Sequence, residues 1–249
     1  MAWYKSQKNQ TKLVIASWAN GTDEEIVNMV KAHYAGKINL HDYWTVGDER
    51  VVNLSAMPAL PPLTDTHVQQ NVTLVLSEEG GKYLSDGVTE CAFQVDAKDC
   101  IDKTSRINYT ATNLGGWKES QRRAWCNSIY INAYPSTLKP IFKAFINQSG
   151  LGGGSTSGVE NTVDYFALRA EIEVLGTTTK SVTGEGTQIE YYKTTSNQYK
   201  TDDGDHSGWW LRSPSSRNDR WCFVYTTYGP QILDPYSTAY HGLAPFGVI

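Results

Sequence analysis

The side chains that most often carry out enzyme chemistry are scattered along this 249-residue sequence. Its histidines show no H-x-x-x-H or H-E-x-x-H spacing. The sequence also lacks a Gly-x-Ser-x-Gly elbow, a Gly-x-x-x-x-Gly-Lys-Ser/Thr phosphate loop and a dinucleotide Gly-x-Gly-x-x-Gly fingerprint. A catalytic site can still assemble from distant residues. The missing motifs nevertheless favour a protein that is not an enzyme, with no catalytic residues among His33, His41, His67, His206 and His241.

The cysteines and acidic residues form no metal-ligand pattern. No C-x-x-C pair occurs among Cys91, Cys100, Cys126 and Cys222. A bridge between Cys91 and Cys100 is sterically conceivable. The first residues contain no signal-peptide core, however, so we expect free, mostly buried thiols in a reducing cytosol.

The densest acidic cluster lacks the ligand order of a calcium loop. Such a loop needs alternating oxygen ligands closed by a bidentate Glu, and the sequence provides no such Glu after its Asp residues. We therefore predict no metal site and no cofactor. The cluster consists of Asp202, Asp203, Asp205 and His206.

Composition points to a globular protein with a recognition surface. Hydrophobic residues make up 40% of the chain and charged residues 19%, with a net charge of −4, which excludes a disordered chain and makes nucleic acid an unsuitable partner. No apolar run has the length of a membrane span, so we predict no membrane insertion. The 15 Tyr and 8 Trp suit either a contact surface or a β-rich core.

The N-terminal part combines one helix with several strands. Thr22 before three acidic residues predicts a helix start, because negative charge complements the exposed N–H groups there, and Gly36 predicts the helix end. We predict strands at residues 13–18, 70–76 and 91–95, and a hairpin joining 43–46 to 50–54.

The middle of the chain predicts a helical hairpin. Residues 115–130 have helical apolar spacing, with Arg122 and Arg123 facing water, although the two could instead bind an anion. Residues 136–146 form the expected second helix, with Pro140 in its first turn. The glycine-rich stretch 151–158 could separate domains, but a loop inside one fold is favoured, and a brief strand is expected at 189–192. The parts are 1–112 and 113–249, which can equally form one continuous domain.

The C-terminal segment contains the candidate binding residues. Two apolar blocks, at 209–214 and 242–249, enclose an aperiodic polar and aromatic stretch that should lie on the surface as ordered loops and short strands. Tyr and Arg would anchor a partner, while Asn, Asp and Thr would supply adaptable hydrogen bonds. The predicted contact residues are Arg217, Asn218, Asp219, Arg220, Tyr225, Thr227, Tyr228, Tyr236 and Tyr240.

The predicted scaffold consists of Trp209, Trp210, Arg212 and Phe246. Arg212 should satisfy loop carbonyls or a buried carboxylate.

The blocks W-W-L-R-S-P at 209–214 and G-L-A-P-F-G-V-I at 242–249 carry a family resemblance. The chain resembles phage and gut-bacterial proteins that end in W-W-x-R-S-P, a short variable stretch and G-L-A-P-F-G-x-I. Further similar segments lie at 42–48, 115–117, 122–127, 164–168 and 173–176.

This resemblance implies an α+β fold whose C-terminal part is C-type-lectin-like, related to formylglycine-generating enzymes. It also implies a non-enzymatic ligand- or receptor-binding protein, such as a variable protein of a diversity-generating retroelement or a phage tail-tip receptor-binding protein. The implied partner is a protein or glycan receptor on a cell surface, and the chain could form a homotrimer. Its implied location is the virion, or the bacterial cytoplasm or cell surface. The Glu-Pro-Asn and Trp-Asn-Asp motifs of calcium-dependent sugar-binding lectins are absent.

Retroelement diversification would leave a specific composition in the variable stretch. Adenine-directed mutagenesis of Asn codons that end in a pyrimidine yields only residues such as Ser, Arg, Asn, Asp, Thr, Tyr, Ile, Leu, Pro and His. Residues 215–220, 225–228 and 232–237 fit this set, whereas Trp221 and Gln231 do not and should be scaffold. Ordinary polar loops overlap with the same composition.

Two alternatives stay open. A constant structural component of a phage tail or cell surface would share the scaffold without variability. A formylglycine-generating type of enzyme would need reactive cysteines close together in the last third, where the sequence has only Cys222.

Overall fold

The computed structural model describes residues 13–202, 205–225 and 231–249, and shows a mixed α+β fold with mostly antiparallel sheets. The described strands are β1 (Glu49–Leu54), β2 (Gln70–Glu79), β3 (Phe93–Ala97), β4 (Phe145–Gly150), β5 (Val159–Asp164), β6 (Phe166–Ala167), β7 (Lys200–Asp202), β8 (Asp205–Ser207), β9 (Trp209–Pro214), β10 (Trp221–Tyr225), β11 (Gln231–Leu233) and β12 (Phe246–Val248). The α-helices are α1 (Asp23–Tyr34), α2 (Gly116–Glu119), α3 (Gln121–Trp125), α4 (Ile131–Ala133) and α5 (Glu171–Leu175).

The main sheet has five antiparallel strands in the order β1-β2-β3-β12-β6. Strand β12 lies between β3 and β6, with Phe246 opposite both Asp96 and Ala167. The sheet therefore draws on residues from both 1–112 and 113–249. A second sheet has the order β11-β10-β9, and β4-β5 and β7-β8 form two-stranded pairs.

Local sequence signals correctly predicted α1 and β2. The Thr22 hydroxyl accepts a hydrogen bond from Glu25 N at 3.3 Å, and the Glu25 carboxylate accepts one from Thr22 N at 2.8 Å. This capping box satisfies two N–H groups that a helix start leaves without intrahelical partners. Gly36 follows the helix with φ +66°. The predicted strand at 70–76 lies within β2, and that at 91–95 overlaps β3.

Two N-terminal strand predictions are wrong. Residues 13–18, all within the described part, form no strand. Residues 43–46 follow a 3-10 turn at Leu40–Asp42 and do not pair with β1, whose partner is β2. Trp44 is a core residue whose indole N–H donates to Ala16 O at 2.9 Å. Residues 43–46, although they have high strand propensity, therefore pack between other elements and do not form a hairpin.

The predicted helical hairpin is also wrong. Its first helix is present as α2, α3, a π-helical turn at Cys126–Tyr130 and α4, with a break at Ser120. The predicted second helix is a short 3-10 turn at Lys139–Ile141 followed by β4, which pairs with β5. Apolar spacing across a short segment fits both a helix and a buried strand, and the distant strand partner decides between them.

Arg122 does not face water. Its side chain has no exposed surface, and its NH2 group donates to both carboxylate oxygens of Asp65, at 2.9 and 3.1 Å. Arg123 is partly exposed and donates from Nε to Asp164 at 2.6 Å. The solvated-face interpretation failed because each cation has a carboxylate partner far away in sequence.

The remaining middle segments fit the fold as follows. The glycine-rich stretch 151–158 connects the paired strands β4 and β5, which confirms a loop inside the fold. The predicted strand at 189–192 is wrong, since Glu190–Lys193 is a 3-10 turn. Buried Cys91, Cys126 and Cys222 are free thiols, as predicted.

One contiguous hydrophobic cluster joins α1, the main sheet and the β11-β10-β9 sheet. Within the described ranges, the structure contains no helix with the length and apolar character needed to cross a membrane.

Candidate ligand-binding surface

The two apolar blocks are buried beneath the surface that they enclose. Every residue of β9 is buried, and Trp209, Trp210 and Phe246 have no exposed surface. The Trp210 indole N–H donates to Ser105 O at 2.7 Å, and that of Trp209 donates to Gln198 O at 3.2 Å. A buried indole N–H needs such a partner, so both rings are fixed in position as well as packed.

The loop after β9 is joined to the segment after β11. Ser237 N donates to Asp219 O at 3.0 Å, and the Arg220 guanidinium donates to Asp234 O at 3.1 Å. Arg220 and Tyr236 also form an isolated β-bridge. These contacts bring together five predicted contact residues, which are Arg217, Asn218, Asp219, Arg220 and Tyr236.

Fully buried Asn113 holds this loop from below. Its side-chain amide lies within hydrogen-bonding distance of three loop carbonyls, those of Ser215 (3.0 Å), Arg217 (2.6 Å) and Arg220 (2.7 Å). An amide has two N–H donors, so at least one of these bonds is shared. The Asn113 side-chain oxygen accepts from Gly153 N at 2.8 Å. One side chain thus ties the loop to the glycine-rich segment.

The glycine-rich segment makes close contacts that a larger residue would prevent. Gly152 has φ +67°, and a Cβ there would lie 1.8 Å from Asn113 O. Because only glycine tolerates both the left-handed backbone and this approach, Gly152 is a steric requirement of the site.

Four segments together form what we call the tail surface: residues 106–114, 152–154, 215–220 and 233–240. Ser237 links the first and last of them, because its hydroxyl accepts from Thr112 N at 3.0 Å and donates to Thr110 O at 2.9 Å. The tail surface is therefore one connected structure.

Aromatic rings stacked on guanidinium groups stand out from the tail surface. Arg220 lies 4.4 Å from the ring centre of Tyr236, and Arg106 lies 4.4 Å from that of Tyr240 and 5.9 Å from that of Tyr109. All three tyrosines are about half exposed. Such cation–π pairs hold large rings in place while leaving one face and the hydroxyl group accessible.

An open polar depression of about 470 Å³ is lined in part by Arg220, the residue that contacts the Tyr236 ring. Gly153 and Gly154 form one side, and residues 216–220 form the other. Its exposed polar groups, above all Arg217 and Asn218, can hydrogen-bond a partner without first leaving internal contacts.

Three predicted contact residues are not in this group. Tyr225 is partly buried against the core at the far end of β10, about 13 Å from Trp221 at the usual strand rise. Thr227 and Tyr228 lie outside the described residues. Tyr240 reaches the tail surface through its contact with Arg106.

Sequence reasoning missed Arg106, Tyr109, Asn113 and the glycines of 152–154. Residues 106–114 have the same aperiodic polar and aromatic composition that singled out 215–241, so this signal was available. The role of Asn113 has no local signal, because its acceptors lie more than 100 positions away.

Arg212 lies apart from the tail surface in a buried group of charges, which we call the ionic centre: Lys82, Asp96, Arg169, Glu173 and Arg212. Arg212 donates to Glu173 at 2.5 and 3.0 Å and to the carbonyls of Gln148, Leu168 and Glu185. Arg169 pairs with both oxygens of Asp96, at 2.5 and 2.9 Å. Bidentate charge-assisted bonds of this kind are among the strongest in proteins.

Charges decide the protonation state of the ionic centre. Burial alone would raise the pKa of Glu173, but the positive charges of Arg212, Lys82 and Arg169 outweigh it and hold that pKa well below its usual range. Burial would also raise the pKa of Asp96, but Arg169 lowers it. Both carboxylates are therefore ionised at neutral pH.

A second polar cluster has its side chains in the spatial order of a catalytic triad, but its serine is not accessible to a substrate. His67 Nδ1 lies 2.6 Å from Asp102, and the Ser105 hydroxyl lies 3.4 Å from His67 Nε2. Ser105 has no exposed surface, and its hydroxyl can donate to Asp65 at 3.0 Å. A nucleophile must reach its substrate, and burial of the Ser105 hydroxyl prevents this in the structure described.

Cys222 is equally unsuited to nucleophilic chemistry. It is fully buried, and burial, followed by the charge of Glu171, raises the pKa of its thiol well above the usual value. Since the thiolate is the reactive form, this environment keeps the thiol inert.

The described residues contain no group of three or more His, Cys, Asp and Glu side chains that could hold a metal ion. Asp203 and the side chains of Asp202, Asp205 and His206 lie outside the described part.

Comparison with known proteins gives one match. A family described as a domain of unknown function, DUF6273, matches residues 70–241, which include β2 to β11. No curated protein and no solved structure has significant similarity to the chain.

Proposed function

Because the chain belongs to the DUF6273 family of domains of unknown function, we propose a function from its geometry: a non-enzymatic protein that binds a receptor through the tail surface. The observation that carries this proposal is the combination of exposed polar side chains with a fixed backbone. Residues 216–218 are exposed, while Asn113 holds the carbonyls around them. Preorganisation of this kind lowers the entropy lost on binding.

The chemistry of the tail surface indicates the kind of partner. Half-exposed tyrosines next to guanidinium groups suit both protein surfaces and the apolar faces of sugars, and the polar depression suits hydroxyl and amide groups. We propose a protein or glycan receptor on a cell surface. A virion or cell-surface location and a trimeric assembly belong to the same proposal.

The proposed fold is C-type-lectin-like. Support comes from the two blocks of the resemblance, which form buried β9 and the segment leading into β12, and so enclose the variable stretch with fixed elements. The inert environment of Cys222 is unfavourable to the formylglycine-generating alternative.

We further propose that the tail surface varies among related chains as a retroelement target. The structure refines which positions could vary. Ser215 and Ser237 fit the mutable composition but are buried and hydrogen-bonded, whereas 216–218 are exposed. Sibling sequences should vary at 216–218 and keep serine at 215 and 237. A nearby reverse transcriptase with a template repeat would support diversification, and constant residues at 216–218 would contradict it.

Binding is tested with the whole chain, fluorescently labelled, on a glycan array and on a panel of intact bacterial cells. We expect saturable binding to some of these probes. The variant Arg217→Ala/Asn218→Ala/Tyr236→Ala should lose at least about tenfold in affinity, because exposed Arg and Tyr commonly dominate interfaces. Its stability should change by no more than about 1 kcal/mol, because surface substitutions usually have small effects.

The matched control is Lys37→Ala/Val51→Ala/Val68→Ala, three exposed residues outside the tail surface. It should bind like the unmodified chain. Equal loss in both variants would contradict the tail surface as the site. Binding to no glycan and no cell would contradict the receptor-binding function.

A further inference from the structure

A second recess of about 560 Å³ lies outside the tail surface. It is bounded by residues near the β2–β3 turn, by β4 and β5, and by residues 186–189, and none of its lining residues belongs to the tail surface. Its size falls within the usual range for small-molecule sites. Two residues of the ionic centre, Lys82 and Glu173, line it. We call it the Lys82 recess after the cation of the two.

Lys82 has unused hydrogen-bonding capacity. Its side chain is almost fully buried, and its ammonium donates to Glu173 at 2.7 Å. An ammonium group has three N–H donors. Within the described part of the chain, the bond to Glu173 is the one hydrogen bond of this ammonium. Lys82 can therefore donate to a molecule in the recess.

Lys82 shares its carboxylate partner, Glu173, with Arg212. Glu173 accepts bonds from Lys82, twice from Arg212 and once from Ala170 N, which fills its usual acceptor positions. Burial is the main cause that lowers the pKa of the Lys82 ammonium, while Glu173 raises this pKa and Arg212 and Arg169 lower it. Within the ionic centre, the three cations Lys82, Arg169 and Arg212 share the two carboxylates of Asp96 and Glu173. A buried positive charge without its own counter-charge is costly, and an anion in the recess would balance it.

The rim of the recess is rich in amide groups. Gln148, Asn161 and Gln188 line it together with Thr187. Amides both donate and accept hydrogen bonds, which suits a ligand with several hydroxyl groups. A single buried ammonium matches the single charge of a carboxylate, whereas phosphate recognition usually gathers several donors.

We propose that the Lys82 recess binds a small polyhydroxylated carboxylate, with its carboxyl group on Lys82 and its hydroxyls on the rim amides. The ligand is a sugar acid in chemical class, either free or as the end of a longer chain. This site is independent of the receptor-binding proposal, because it shares no residue with the tail surface.

The test is isothermal titration calorimetry of the whole chain with D-glucuronate, D-galacturonate and N-acetylneuraminate. At least one acid should bind saturably, and its uncharged amide should bind about 10- to 100-fold more weakly, the range expected for a bond to a buried charge. Equal binding of acid and amide, no binding of any acid, or tighter binding of inorganic phosphate would overturn the proposal. An oligosaccharide ending in the acid shows the source: tighter binding than the free acid supports the chain end, and weaker binding supports the free acid.

Substitutions locate the binding. Lys82→Met should weaken the acid about 10- to 100-fold, whereas Lys193→Met, at the exposed rim, should change it less than about threefold. Asn161→Trp fills the recess from an exposed rim position and keeps the test valid if Lys82→Met does not fold. Unchanged affinity in Asn161→Trp would overturn the site. Arg217→Ala should leave acid binding unchanged, so failure of the tail surface and failure of this recess can be distinguished.

Discussion

The tail surface and the ionic centre are stabilised in opposite ways. The loop at 215–220 of the tail surface exposes its side chains at 216–218 and is held from below by hydrogen bonds from the neutral Asn113 amide to its carbonyls. The ionic centre buries its charges, with Arg169, Asp96 and Arg212 at zero exposure. Both regions depend on residues distant in sequence, but the ionic centre consists of buried ion pairs, whereas the cations Arg106 and Arg220 of the tail surface contact tyrosine rings and a backbone carbonyl.

Because of this difference, exposed side chains of the tail surface can change without a large loss of stability, whereas side chains of the ionic centre cannot. Side chains at 216–218 can change without losing internal contacts, because the loop is fixed through its carbonyls. Arg212 cannot change in this way, because Glu173 would lose two hydrogen bonds in a dry environment. A surface whose shape is set from below is suited to carrying different contact residues on a constant support.

The largest expected effect tests the ionic centre. Arg212→Met should lower the free energy of unfolding by about 3–5 kcal/mol, because it leaves a buried carboxylate with reduced compensation. Lys82→Met is the matched variant, since it removes a second cation from the same carboxylate but leaves the bidentate Arg212 pair. It should cost about 1 kcal/mol or less.

Urea unfolding followed by tryptophan fluorescence measures both variants. The midpoint should shift strongly for Arg212→Met with an unchanged m-value. Equal losses in the two variants would show that Lys82 is as well compensated as Arg212, which would contradict the charge imbalance inferred at the recess.

The sequence predicts elements whose signals are local. The Thr22 capping box and the alternation at 70–76 each lie within a few residues, and both elements are present. Residues 136–146 failed as a helix because the deciding interaction is pairing with β5, which local spacing does not reveal. Arg122 failed for a related reason, since Asp65, 57 positions earlier, provides the partner that buries it.

The candidate site was predictable in composition but not in architecture. Polar and aromatic composition located Arg217 and Tyr236, and the same signal at 106–114 would have added Tyr109. The support from Asn113 depends on carbonyls brought together by folding. Gly152 shows the clearest limit, because a glycine-rich composition suggests flexibility while the structure requires the glycine for close packing.

Two glycine-to-alanine substitutions, one in the tail surface and one outside it, test how firmly the backbone of the tail surface is held in place. Gly152→Ala should cost about 3 kcal/mol, because it adds a clash with Asn113 O to the left-handed backbone strain. Gly36→Ala is the control, with φ +66° and no atom within 4 Å of the added Cβ, and should cost about 1 kcal/mol. Hydrogen exchange should show loss of protection at residues 215–220 in Gly152→Ala alone. Equal costs would mean that the contact with Asn113 relaxes freely.

The smallest of the three expected effects is a pH dependence of folding stability, which distinguishes the support of the tail surface from the ionic centre. His241 stacks on Phe223 beneath the tail surface at 4.2 Å between ring centres, and burial lowers its pKa from 6.5 to about 4. Between these values the unfolded chain binds the proton and the folded chain does not, so stability falls as pH drops from 6.5 to 4. The partly exposed ring limits this loss to about 2 kcal/mol.

The ionic centre should respond only at lower pH. Glu173 and Asp96 have lowered pKa values, so their contribution is present above the unfolded values of 4.5 and 3.8 and is lost as pH falls below them. His241→Phe should therefore remove most of the fall of the urea midpoint between pH 6.5 and 4.5, more than His33→Asn does, while leaving the loss below pH 4.5. His33→Asn is the control, because burial, followed by the charge of His41, also lowers the pKa of His33, but His33 lies on α1. If His33→Asn flattens the curve and His241→Phe does not, the acid response of this pH range belongs to α1 and not to the support of the tail surface.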